Sequence, residues 1–312
     1  MLVLDADAIH AALPWAYLVE ALREAHLGPA PLADGIVQSD PMGSGNLFVT
    51  LPGWLPGGLI AVKMVGVFPA NPSATPPQPS VQGLVAAFDG RTGAPRLVAD
   101  GAAMTARKTC ADSALGAALL AREDAENLLI LGAGTLAPHM VEAMRAVRPS
   151  IRHIEIWNRT PERAEHLAAL LRDKGLPVQA AAALDPAVAK ADIISCVTMS
   201  DQALVKGALI KPGAHVDLVG AYLPTMREAD DDTMVRATLF TDTKGNMKGG
   251  GDLVQAVASG VIGWEDVRAD LFDLLQGAAV GRSSADEITL FKNNGGAHLD
   301  VFTAAALLQA LG

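Results

Sequence analysis

In the segment NLLILGAGTLAPHM an apolar run leads straight into Gly132, Gly134 and Ala137, the spacing G-x-G-x-x-A. The first glycine permits a tight turn, the second lets the backbone approach a pyrophosphate, and the small alanine lets the following helix pack closely on the strand. Thr135 lies in the same turn, at the positive end of that helix, where backbone N–H groups stabilise an anion. The chemistry these residues point to is the binding of a dinucleotide. Alone the motif is weak, because an ordinary glycine turn has the same letters. A strand before it and a helix after it supply the context that dinucleotide binding requires.

A second strand, in IEIWNRTPERAEHL, ends at Trp157, about where the adenosine ribose would lie. Sites selective for NAD place an acid here to accept hydrogen bonds from the ribose 2′-OH, whereas a 2′-phosphate is repelled by that acid and held by arginine. Asn158, Arg159 and Thr160 present donors and no negative charge at this turn. They predict a preference for NADP(H) over NAD(H), against the plainer alternative that Arg159 is a solvated surface side chain. Glu162 and Arg163 read as an exposed helical face.

Other groups have weaker claims on chemistry. Asp230, Asp231 and Asp232 adjoin, but consecutive residues point in different directions, so they read as the acidic start of a helix and no metal is expected. Cys110 and Cys196 lack metal-ligand spacing and read as buried thiols in a reducing compartment. His139, His215 and His298 have no evident partner in the sequence and read as core or surface residues.

All of these residues need elements to position them. Residues 10–27 have the apolar spacing of an amphipathic helix, and NLFVTLPGWL, GLIAVKMVGVF and GLVAAFDGRTG read as strands of a first α+β region. Between two of these strands, FPANPSATPPQPSVQG places Pro69, Pro72, Pro76, Pro77 and Pro79 within eleven residues, which excludes a helix or an internal strand. So long a loop is expected to form a wall of a binding site. From about residue 105 the segments TARKTCADSALGAALLARE, NLLILG, TLAPHMVEAMRAV, HIEIWN, TPERAEHLAALLRDKG, PVQAA, ADIISCVT and AHVDLVG alternate helix and strand. Such alternation predicts a parallel sheet covered on both faces. The tail GRSSADEITLFKNNGGAHLDVFTAAALLQALG returns to a strand and a final helix, expected to pack on the first region.

At 312 residues and 50% hydrophobic composition the chain is large enough for two domains. A net charge of −10 without a basic run argues against nucleic acid or an anionic membrane surface as a partner, and means that a small anionic substrate needs local positive charge. Asp5 and Asp7 stand where a secretory signal would be basic, and no run of about 18 apolar residues follows, so a soluble, cytoplasmic protein with no membrane partner is expected.

In their order and spacing, VKMVGVFPANP, LVAAFDGRTGAPRLVADGAAMTARKTCADSALGAALLAR, LLILGAGTLA, IWNRTPERA, VGAYLPTMREADDD and GRSSADEITLFKNNG resemble the ornithine cyclodeaminase and mu-crystallin family over nearly the whole chain. IWNRT is especially similar to the NADPH-binding mu-crystallin branch. The resemblance implies an α/β fold with a Rossmann domain over 114–284 and an α+β substrate and dimerisation domain built from 1–113 with 285–312, the protein forming a homodimer.

The resemblance also assigns residues. Lys63 matches the lysine that contacts the substrate carboxylate, and Lys108 stands where the family has arginine in R-T-A-A. Lysine keeps the charge but loses planar bidentate recognition. A further arginine of many relatives has no counterpart in GIVQSDPMGSGN, where Gln38 or Ser39 would be nearest. Thr105 reads as the cap of a helix whose first turn carries Arg107, expected toward solvent, and Lys108, beside an anion that offsets the helix dipole. Thr109, Thr198 and Lys292 are carried over to the cofactor, whereas Ser80 and Asn293, which replaces a usual serine, are carried over without a firm role.

Cyclodeaminases and alanine dehydrogenases of the family place a catalytic aspartate where this chain has Tyr222. A hydroxyl with an ordinary pKa near 10 is a poor base at neutral pH, but it can donate a hydrogen bond or a proton, or simply line the pocket. The expectation is an NADPH-dependent reductase of a small imine carboxylate, a cyclic ketimine such as Δ1-pyrroline-2-carboxylate or Δ1-piperideine-2-carboxylate, with Lys63 and Lys108 on the carboxylate and Tyr222 at the imine. The alternatives are an ornithine cyclodeaminase or amino-acid dehydrogenase, and a non-catalytic mu-crystallin-like binder of NADPH and a small ligand.

Overall fold

The structure is a computed structural model that describes residues 1–312, the side chain of Pro72 apart. The chain divides into two compact units, Met1–Thr109 with Gly296–Gly312, and Cys110–Gly295.

The first unit opens with β1 (Leu2–Leu4), α1 (Ala6–Ala12) and α2 (Trp15–His26). Asp5 caps α1 by accepting the Ala8 N–H at 2.9 Å. Pro14 separates the two helices, so the single helix expected over 10–27 is interrupted where proline has no N–H to give. The chain continues through β2 (Leu32–Ala33), β3 (Ile36–Ser39), β4 (Leu47–Trp54), β5 (Leu59–Val67), β6 (Val81–Asp89) and β7 (Pro95–Asp100). These strands form one sheet of order β1-β7-β6-β5-β4-β2, with β3 also on β4 and only β1–β7 parallel. The proline-rich stretch is the β5–β6 connection, closed by the Phe68 N–H on the Ser80 carbonyl at 2.7 Å. The side chain of Pro72 lies outside the described residues.

One face of this sheet carries Ala61, Lys63 and Val65, with Leu51 and Val85 in register beside Lys63. The C-terminal helix Ala297–Leu311 covers that face, as its mostly apolar sequence requires. It approaches so closely that a Cβ on Gly53 would meet the Val301 side chain at 2.6 Å. On the opposite face Ile36, Phe48, Trp54 and Leu84 are exposed.

Helix α3 (Gly101–Leu120) leads the chain into the second unit. There follow β8 (Asn127–Leu131), α4 (Leu136–Val147), β9 (His153–Trp157), α5 (Pro161–Asp173), β10 (Val178–Ala180), α6 (Leu184–Lys190), β11 (Ile193–Cys196), β12 (His215–Leu218), α7 (Asp231–Arg236), β13 (Thr238–Thr241), α8 (Gly251–Ala258), β14 (Val267–Asp270), α9 (Leu271–Leu275) and β15 (Thr289–Lys292), before the C-terminal helix, α10. All eight strands are parallel, in the order β10-β9-β8-β11-β12-β15-β13-β14. The chain builds outward from β8 to β10 and then returns to the other side of β8, which creates the switch point of a Rossmann-type sheet between β8 and β11. Strand β15 sits inside this sheet, so residues 285–295 lie in the second unit.

Candidate active site

The turn after β8 has the geometry that a pyrophosphate needs. Gly132 has φ +109°, a conformation that L side chains rarely adopt, and a Cβ there would press on the Val197 carbonyl at 2.8 Å. At Gly134 nothing lies within 4 Å of where a Cβ would stand, which leaves open space beside the backbone. Ala137 is fully buried where α4 meets the sheet. Thr135 precedes α4 and makes no capping hydrogen bond through its side chain; Ala137 gives its N–H to the Gly134 carbonyl at 3.1 Å and Pro138 has none, which leaves the N–H groups of Thr135 and Leu136 for an anion. These residues fit a bound dinucleotide.

At the end of β9, Asn158 donates its side-chain N–H to the Thr160 carbonyl at 2.9 Å and shapes the turn. Arg159 and Thr160 are exposed, and Arg159 makes no ion pair among the described residues. Pro161 then opens α5, as its fixed φ favours.

The loops after β11 and β12 are joined by a group that the sequence analysis passed over. Glu228 accepts the Thr198 N–H at 2.7 Å and its hydroxyl at 2.8 Å on one oxygen, and the Gly220 N–H at 2.7 Å and Ala221 N–H at 3.3 Å on the other. Asp252 in turn accepts the Glu228 N–H at 2.7 Å and the Ala229 N–H at 3.2 Å, and its second oxygen meets Lys292 Nζ at 3.2 Å. Glu228, Asp252 and Lys292 are fully buried. Burial, helped by the charge of Asp252, raises the Glu228 carboxyl above the usual range, against the weaker pull of Lys292 and the Thr198 donors. Lys292, expected at the cofactor, is therefore neutralised inside the core by Asp252. Tyr222 follows Ala221 on the same loop, half exposed, with no hydrogen bond from its hydroxyl among the described residues.

In the first unit, Lys108 is buried and its ammonium meets Asp300 at 2.7 Å and the Gly296 carbonyl at 3.2 Å. The anion that offsets its charge is thus the protein's own carboxylate, on α10. Asp300 Oδ1 is buried and has no hydrogen-bond partner among the described residues. Lys63, projecting from β5, makes no hydrogen bond or ion pair among the described residues. Burial and the like charge of Lys108 lower its ammonium to about 8, with Asp300 opposing.

Two expectations around Lys108 are corrected. Helix α3 begins at Gly101 rather than after Thr105, with Asp100 accepting the Ala103 N–H at 2.8 Å, and the Thr105 hydroxyl donates back to the Gly101 carbonyl at 2.7 Å. Lys108 is consequently beyond the first turn, where the helix dipole matters little. Arg107 does not face solvent. It is buried, donates to His10 Nδ1 at 2.9 Å and lies 4.0 Å over the Trp15 ring.

Thr109 is buried, and Asn293 donates to the Ser113 hydroxyl at 3.0 Å. His215 bonds the Thr289 hydroxyl at 2.9 Å deep in the sheet, and burial lowers it to about 3, so it is neutral. Asp230 caps α7 on the Thr233 N–H at 2.9 Å, Asp231 pairs with Arg227 and Asp232 with Arg236 at 3.9 Å, so the three carboxylates serve three separate partners. Cys110 and Cys196 are both buried. No described helix is long and apolar enough to cross a membrane. Of the missed groups, Asp252 and Asp300 had a signal, each being an acid set in a small-residue or apolar run, GGGDLV and AHLDVF, where an unpaired charge is costly, whereas Glu228 stands in the charged run READDD and had none.

A family model described as "Ornithine cyclodeaminase/mu-crystallin family" matches residues 10–310. A Delta(1)-pyrroline-2-carboxylate reductase of Paracoccus denitrificans is 41% identical over 300 residues, covering 96% of this chain and 93% of that protein. Among solved structures, the Delta(1)-pyrroline-2-carboxylate reductase of Thermococcus litoralis, in complex with NADH and L-proline, superposes with a TM-score of 0.91 at 27% identity over 99% of this chain and 97% of its own. An archaeal alanine dehydrogenase dimer with bound NAD gives 0.90 at 26% identity over 99% and 95%.

Proposed function

Because the chain belongs to the ornithine cyclodeaminase/mu-crystallin family, and is an oxidoreductase of that family, we propose that it reduces a small cyclic imine carboxylate, Δ1-pyrroline-2-carboxylate or its six-membered homologue, to the corresponding cyclic amino acid. The observation that carries this reading is Lys63: a buried ammonium that makes no ion pair among the described residues, beside a second lysine whose charge Asp300 balances. Such an ammonium suits a substrate carboxylate. Lys108 keeps one N–H beyond those given to Asp300 and Gly296, and adds a hydrogen bond without net charge.

Gly132, Gly134, Thr135 and Ala137 would hold the cofactor pyrophosphate, and Asn158, Arg159 and Thr160 its adenosine ribose. Bound there, a reduced nicotinamide supplies a hydride to the C=N carbon. Tyr222 supplies a hydrogen bond or proton to the imine nitrogen and needs no depressed pKa for it, because reduction consumes a proton and calls for no strong base. The cyclodeaminase reaction has the opposite demand, and a tyrosine in place of aspartate does not meet it. The absence of an acid after Trp157 and the exposed Arg159 favour NADPH over NADH. As in the alanine dehydrogenase dimer, two copies would associate, here through the sheet face that exposes Ile36, Phe48, Trp54 and Leu84.

Cofactor absorbance tests the proposal. Purified protein should oxidise NADPH in the presence of either cyclic imine carboxylate, and NADH more slowly. Release of ammonia from ornithine, with no oxidation by either imine, would refute it.

A further inference from the structure

Three strand ends of the second unit are locked together at the switch point. A Cβ on Gly220 would lie 1.6 Å from the Thr198 carbonyl, and one on Gly132 would lie 3.3 Å from Thr198 Cγ2. The loops after β8, β11 and β12 are therefore in backbone contact, and only glycine at 132 and 220 allows it. Close approach leaves the N–H groups of Thr198, Gly220 and Ala221 without ladder partners, since each lies past the end of its strand. Glu228 takes all of them. Asp252 fixes the Glu228 backbone and pairs with Lys292.

The direction of the cofactor on the sheet decides which part of it meets this assembly. The ribose of the adenosine half belongs at the end of β9, on one side of β8. The pyrophosphate belongs at Gly132 and α4. The loops after β11 and β12 lie across the switch point, on the side left for the nicotinamide half.

We propose that Glu228 is a positioning residue, which ties the loops after β11 and β12 into one platform for the nicotinamide half of the cofactor and leaves the adenosine half untouched. This inference rests on the cofactor reading of the preceding section. Glutamine in place of Glu228 would turn an N–H₂ toward N–H donors on one of the two loops, because a carboxylate accepts on both oxygens and an amide on only one.

Calorimetric titration of NADPH, and of adenosine 2′-phosphate 5′-diphosphate, which lacks the nicotinamide riboside, separates positioning from general stabilisation. Glu228→Gln should weaken NADPH by about tenfold, the scale of a frustrated buried acceptor, with the truncated nucleotide changed less than about twofold. Equal weakening of both ligands, or of neither, overturns the proposal. If Glu228→Gln does not fold, amide hydrogen exchange on the wild-type protein decides. The Thr198, Gly220 and Ala221 amides should exchange as slowly as those of β11 and β12, and fast exchange overturns the proposal. A wild-type protein that binds neither nucleotide refutes the cofactor reading itself, and this inference with it.

Discussion

At the scale of the residue, Lys63 carries two consequences of opposite sign. It holds a carboxylate only while protonated, and burial has brought its pKa to about 8. The affinity for a carboxylate that does not itself titrate nearby, such as pyrrole-2-carboxylate, should be flat below that value and fall by about tenfold for each pH unit above it. Stability should move the other way. The folded protein gives up the Lys63 proton at about 8 and the unfolded chain only near 10.5, so the unfolded state binds more protons between those values and stability rises with pH across that window. Binding titrations and denaturant midpoints at the same pH values check both signs together, and a binding curve indifferent to pH from 7 to 10 would remove Lys63 from the carboxylate site.

At the scale of the element, buried charge does the joining. Lys292 at the end of β15 neutralises Asp252 on α8, and Asp252 fixes the segment that bears Glu228. Replacing Lys292 with methionine leaves Asp252 buried without a counter-charge and should lower stability by about 3–5 kcal/mol, measured as a shift of the denaturant midpoint. A shift near zero would mean that solvent reaches the pair. The elements themselves were largely readable in the sequence. G-x-G-x-x-A after NLLIL, the alternation from HIEIWN to AHVDLVG and the proline-rich connection gave the kind of the segments they cover, because period and turn chemistry are local properties, whereas β13, α8, β14 and α9 were not read. The start of α3 was misplaced by tertiary context: Asp100 caps it and Thr105 bonds inward, and no local pattern distinguishes a threonine that caps from one that back-bonds. The interior pairs Lys108–Asp300 and Lys292–Asp252 join residues far apart in sequence, so spacing could not announce them.

At the scale of the whole molecule, the proposed association of two copies uses the sheet face of the first unit that exposes Ile36, Phe48, Trp54 and Leu84, since exposed apolar side chains on one face favour an interface. Phe48→Asp should convert a dimer to a monomer in sedimentation velocity, whereas an unchanged dimer would place the interface elsewhere. The same face illustrates why the expectation of association came only from family resemblance: the alternation in β4 reads the same whether a face meets solvent or a second copy. The central claim is that the protein recognises an imine by its carboxylate, through Lys63. Its most direct test is the rate of cofactor oxidation on Δ1-pyrroline-2-carboxylate and on 1-pyrroline, which lacks the carboxylate, for wild type and Lys63→Met. The wild type should favour the carboxylate substrate in kcat/KM by about 10–100-fold, the worth of a charge-assisted hydrogen bond, and Lys63→Met should lose most of that preference while its cofactor affinity stays unchanged. A Lys63→Met protein that keeps the wild-type preference would contradict the account.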